Sequence, residues 1–170
     1  MSTTTAPTSS RTTELSPAEL LQRRADALYR AAAECHRQRS RYACMVEHRC
    51  SDTEQRAALR LAQVCDENLV ERIGLYDKAA AHCGAGKCGF SDSPWWHKAN
   101  ALWQAAREYE RRHQDADRTA GEITEHSAAN LAHLAMEFDL EASALLALKH
   151  ALDGYKACRP NADLGKRPAA

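Results

Sequence analysis

Apolar residues recur along most of this chain at alternating steps of three and four, the period of helices that bury one face. The first such stripe runs Leu21, Ala25, Leu28, Ala32, Cys35, Arg39, Tyr42 and Val46, and the second Leu59, Ala62, Asp66, Leu69, Ile73, Tyr76 and Ala80. A third runs Trp96, Ala99, Trp103, Ala106, Glu110 and His113, with Asp117 beyond it, and a fourth Leu131, Leu134, Phe138, Glu141, Leu145, Leu148, Leu152 and Tyr155. Start and stop signals frame each stripe. Ser16-Pro17-Ala18-Glu19 has the form of a capping box with proline at the first helical position, and Ser93-Pro94 repeats the cap and proline. Ser51 or Asp52 serves as the second cap, the glycines of the His82 to Gly89 segment stop the second helix, and Cys158-Arg159-Pro160 closes the fourth. The pattern shifts phase between Asp117 and Gly121, which places the third turn there.

These signals predict an all-α protein with helices over about 17–49, 52–82, 94–117 and 120–157. Short links between consecutive helices make an antiparallel up-down-up-down four-helix bundle, over about 16–158, the expected architecture. The alternative merges the last two segments into one long helix, leaving its apolar stripe to a second copy of the chain, hence a homodimer. Residues 1–15, rich in Ser and Thr, and residues 159–170 are expected to be disordered tails.

Composition narrows the functional classes. In 170 residues, 23 Lys and Arg balance 23 Asp and Glu, so no domain-wide positive field gathers nucleic acid or an anionic membrane. The local run Arg37, Arg39, Arg41 reads as intrachain pairing or a solvated face. No segment is apolar for long enough to span a bilayer, and the first residues lack the apolar region of a secretory signal, so a cytoplasmic location is expected. The chain is rich in cysteine and histidine, with seven and eight of each; in a reducing compartment the cysteines are expected to be thiols that mostly pack as small hydrophobes.

The stripes themselves are interrupted by ionisable residues, and a buried charge must be paired or neutralised. With about 1.5 Å of rise per residue, residues equally far from a turn of an antiparallel bundle become neighbours. On that count Cys35, Arg39 and Asp66 meet at mid-bundle, where an ion pair accounts for Arg39 and Asp66. Glu141 falls near Tyr29, Tyr76, Trp96 and His97, whose hydroxyl or ring N–H groups can donate to it. Cys44, His48, Glu110, His113, Glu122 and His126 gather at the end holding the first and third turns. Imidazole, carboxylate and thiolate together suit iron, zinc or copper. Glu110-x-x-His113 has the spacing of one ligand pair in ferritin-like di-iron bundles, and His133-x-x-x-Glu137 that of a hemerythrin-like pair; neither is accompanied by the rest of its ligand set.

A second candidate metal site is His82, Cys83 and Cys88 with Cys158 returning to the same end. Gly-Ala-Gly-Lys-Cys within this segment lacks the leading glycine, the Ser or Thr after Lys87 and the preceding strand of a phosphate loop. Catalysis by a cysteine nucleophile finds no orienting partner for Cys83. Two functions are therefore expected to compete. One is a metal-binding bundle for storage, sensing or redox work; the other is a non-catalytic module for protein interaction or dimerisation, with no metal.

Overall fold

Four helices and no strand make up the described residues, 15–83 and 93–159, of the computed structural model. They are α1 (Pro17–Glu47), α2 (Asp52–Cys83), α3 (Pro94–Glu122) and α4 (Ala128–Cys158). The tails expected at 1–15 and 159–170 lie almost wholly outside these residues.

Each boundary has a local cause. Ser16 accepts from the Glu19 amide at 3.3 Å while Glu19 accepts from the Ser16 amide at 2.9 Å, the reciprocal capping box that the sequence suggests. Ser51 and Glu54 repeat it at the start of α2, which makes Ser51, not Asp52, the cap. Ser93 and Ser127 cap α3 and α4 by accepting from the Trp96 and Asn130 amides. α1 ends in a Schellman turn: the Cys50 amide donates to the Met45 carbonyl and the Arg49 amide to Val46. Arg49 sits at φ 52°, a left-handed position that glycine fills without steric cost.

The third turn differs from expectation. α3 continues through Gly121 to Glu122, and the link is 123–127. Gly121 is tolerated in a helical last turn, and Ser127 caps α4 by accepting from the Asn130 amide. Five further helical residues move the turn roughly 8 Å along the axis.

α1 packs mainly on α2 and α3 mainly on α4, and the two hairpins meet less extensively. Their common core fills only one half of the bundle. It holds Leu21 to Cys35 of α1, Leu69 to Cys83 of α2, Trp95 to Tyr109 of α3 and Ala144 to Tyr155 of α4. Tyr76, Tyr109 and Tyr155 are its largest fully buried side chains. Tyr155 ties three helices together, accepting from the Trp95 indole N–H at 3.3 Å and donating to Asp26 at 3.0 Å. Burying such side chains stabilises by roughly 2 kcal/mol each.

Beyond Cys35, Asp66, Tyr109 and Ala144 the hairpins form an open half. Ala58, Ala62 and Ala116 are buried there but stand apart from the common core. The cause is visible in α3, which after Tyr109 offers His113, Ala116, Asp117 and Ala120 toward its former core side and no large apolar side chain. The stripes of the other helices run on regardless. Tyr42, Leu59 and Leu134 are half-buried, while Val46, Leu131 and Phe138 are 45%, 47% and 47% exposed.

Candidate functional site

Where the closed half meets the open one, all four helices contribute to a single polar network. Arg39 of α1 forms a close ion pair with Asp66 of α2, both half-buried or better. The other Asp66 oxygen accepts from the Cys35 thiol at 3.1 Å and from the Tyr109 hydroxyl at 3.1 Å. Arg39 also approaches His113 Nε2 at 2.6 Å, and His113 Nδ1 lies 2.8 Å from Glu141 Oε1. An imidazole nitrogen that accepts from a guanidinium carries no proton, so in this arrangement the ring is protonated on Nδ1 and donates to Glu141. The His113 ring also stacks parallel on Tyr109, with centroids 6.0 Å apart.

The electrostatics follow from this packing. Burial pushes the Cys35 thiol well above its usual range, and the neighbouring Asp66 carboxylate adds to the shift. Burial raises Tyr109 likewise, so both groups are neutral donors to Asp66. Burial opposes the charge on Arg39, yet its bond to Asp66 and the surrounding acids outweigh that and hold it more firmly protonated than usual. For His113, burial works against the charged ring, the Glu141 hydrogen bond works for it and Arg39 against it; with the charges of Glu141 and Asp66 the net shift is upward. On protonation Nε2 loses Arg39 as a donor and has carboxylate oxygens of Asp66 and Asp117 at 3.6 Å to turn to.

Sequence spacing foresees part of this network. Cys35, Arg39 and Asp66 meet as expected, but Glu141 faces His113, not Tyr29, Tyr76, Trp96 or His97. Two features explain the change. The later third turn lowers His113 from the bundle end to the level of Arg39. The buried side of α3 also lies one position away from the stripe read in sequence, through Trp95, Leu102, Tyr109 and Ala116 with Ala99 and Ala106. That rotation brings Tyr109 inward and leaves Glu110 half-buried on the flank, where it accepts from Gln114 of the next turn. The regular step of seven from Leu102 through Tyr109 to Ala116 was the available signal for Tyr109.

The six residues of the expected end cluster do not assemble. Cys44 and His48 are exposed neighbours on the last turn of α1, with His48 Nδ1 donating to the Cys44 carbonyl at 2.9 Å. Glu122 and His126 are exposed at the α3–α4 link, and His113 is engaged in the network. At the second candidate site Cys83 is disulfide-bonded, so it offers no thiolate to a metal, and the expectation of reduced cysteines fails at this position. Its Sγ is buried 3.3 Å from the Pro17 carbonyl oxygen. Cys158 is a half-buried free thiol, His82 is exposed, and Cys88 lies outside the described residues. Among the described residues, no group of three or more His, Cys, Asp or Glu is arranged to hold a metal ion. Arg39, itself a cation, already engages Asp66 and His113.

No helix among the described residues is long and apolar enough to cross a membrane. No family model, curated protein or solved structure matches the chain.

Proposed function

We propose that this protein is a non-catalytic helical interaction module whose open half docks a helical partner. One observation carries the reading: the first half of α4 leaves large apolar side chains bare, although α4 packs mainly on α3. From Ala128 to Leu140 it presents Leu131, Leu134, Met136 and Phe138 in several directions, and the first, third and fourth of these are exposed. Large apolar side chains left bare beside one another on a helix mark contact surfaces.

The polar network suits a scaffold better than a catalyst. Its ionisable groups face one another, its thiol and phenol are held neutral, and one terminal nitrogen of Arg39 is engaged by both Asp66 and His113. It fastens the two hairpins together at the base of the open half.

Hydrogen exchange on the dilute monomer, combined with bis-ANS binding, tests the docking surface. Amides of 131–140 are expected to exchange faster than those of 144–155, and Leu131→Ser with Phe138→Ser is expected to reduce bis-ANS fluorescence several-fold. Equal protection of both halves of α4 in the monomer overturns the reading, because the surface is then already covered.

A further inference from the structure

We propose that the occupant of the open half is a second copy of this chain, with the α1–α2 arm of each copy seated on the α3–α4 arm of the other. This rests on the docking reading above and adds the partner and its geometry.

Closing the arms within one chain leaves part of the apolar surface bare. Met136 and Leu146 of α4 are 51% and 55% exposed; Leu146 stands two residues, about 200° around the helix, from the buried Leu148, and Met136 as far from Phe138. On α2, Leu61 and Val64 are 49% and 60% exposed and are displaced in the same way from Leu59 and Ala62. Inner and outer apolar faces on the same helices need a partner from outside.

Charge selects the partner. In the α1–α2 arm, Arg41, Arg49, Arg56 and Arg60 are exposed and have no ion-pair partner among the described residues. In the α3–α4 arm, Glu122, Glu125, Glu137 and Asp139 likewise have none, whereas Arg111, Arg112 and Arg118 are already paired to Glu108 or Asp115. Glu47, Asp52, Glu54 and Glu67 are exposed acids of the same arm, so its described residues keep a small positive excess of eleven Lys and Arg over ten Asp and Glu, against eight and ten in the α3–α4 arm. Glu137 is the sharpest case: its Oε2 is buried with no hydrogen-bond donor. Turned outward, the carboxylate accepts from an arginine of another molecule. A chain with a basic arm, an acidic arm and balanced total charge is complementary to itself about a two-fold axis, since each copy gives and receives the same contact.

Sedimentation velocity of the full chain from about 1 µM to about 1 mM tests the pairing. Wild type is expected to dimerise, and more weakly as salt is raised, because exposed charges are screened. Glu137→Lys with Asp139→Lys, and separately Arg56→Glu with Arg60→Glu, are each expected to weaken the homodimer about tenfold or more. An equimolar mixture of the two variants restores opposite charge at both contacts, so a heterodimer within about threefold of wild-type affinity is expected. Its formation also shows that both variants fold. A monomer at every concentration, or a dimer indifferent to both reversals, overturns the proposal. In the first case, fast exchange at 131–140 leaves the docking reading standing and protection there removes both.

Discussion

The closed and open halves of this bundle are built from the same four helices with the same apolar period, yet only one has a common core. In the closed half every helix brings large side chains to the shared interior: Leu28 from α1, Tyr76 from α2, Leu102 and Tyr109 from α3, Leu148 and Tyr155 from α4. In the open half Tyr42, Leu59 and Leu134 are only half-buried, α2 buries alanines, and α3 brings alanine, histidine and acids. With Glu141, Glu137 and Asn130 continuing the buried face of α4 as well, too little bulk is left to form a core, because interiors must be filled to near-crystalline density. The Arg39–Asp66–His113–Glu141 network lies at the border and seals the wet side from the dry one. Its members are costly to bury singly and tolerable together.

The comparison breaks most readily through the core. Leu28→Ala or Leu148→Ala is expected to cost about 3 kcal/mol in urea unfolding, with the cavity it leaves adding to the lost burial. Leu131→Ala in the open half is expected to cost less than about 1 kcal/mol in the monomer, since nearly half of that side chain is already exposed. Equal costs would show that the open half is closed in solution.

Arg39→Met is expected to destabilise by a similar amount, about 3 kcal/mol, by leaving Asp66 charged and half-satisfied beside a core. Adding Asp66→Leu to it removes the orphaned charge and is expected to recover most of the loss, a coupling that a double-mutant cycle measures directly. Independent, additive costs would show that the pair is not the seal described above.

A smaller effect follows from His113. Its folded pKa lies above the ordinary imidazole value, so the folded state binds the proton more tightly than the unfolded chain does. The resulting stabilisation is complete below the unfolded value of about 6.5 and is lost as pH rises through the higher folded value. Melting temperature is therefore expected to fall over that window and His113→Gln to flatten the fall; a profile unchanged by the substitution counts against the assignment. Smallest is Arg49→Gly, expected to gain about 0.5 to 1 kcal/mol by relieving a left-handed backbone position at the end of α1. A loss of stability there would mean that the arginine side chain, not the backbone, matters.

Much of the fold is legible in the residues: four stripes, the Ser16, Ser51 and Ser93 caps, and the approach of Arg39 to Asp66. The network is legible only in part. Reading its fourth corner required two facts with weak local signals, the third turn at 123–127 and the rotation of α3 by one position. Gly121 and the phase shift near Asp117 point to an earlier turn, and Trp96 and Trp103 are as apolar as the Trp95 and Leu102 that are more fully buried. Composition could not choose between them. The expected metal cluster followed from the misplaced turn, because moving His113 by roughly 8 Å takes it from the company of His126 and Cys44 to that of Arg39 and Glu141.

By itself, the sequence determined where helices start, where they stop and which side of each is apolar, since capping bonds and the helical period act within a few residues. Only the tertiary structure decided how far along those apolar sides a shared core extends and which charges meet at its edge. Both depend on what the other three helices present at the same height, and no local pattern records that.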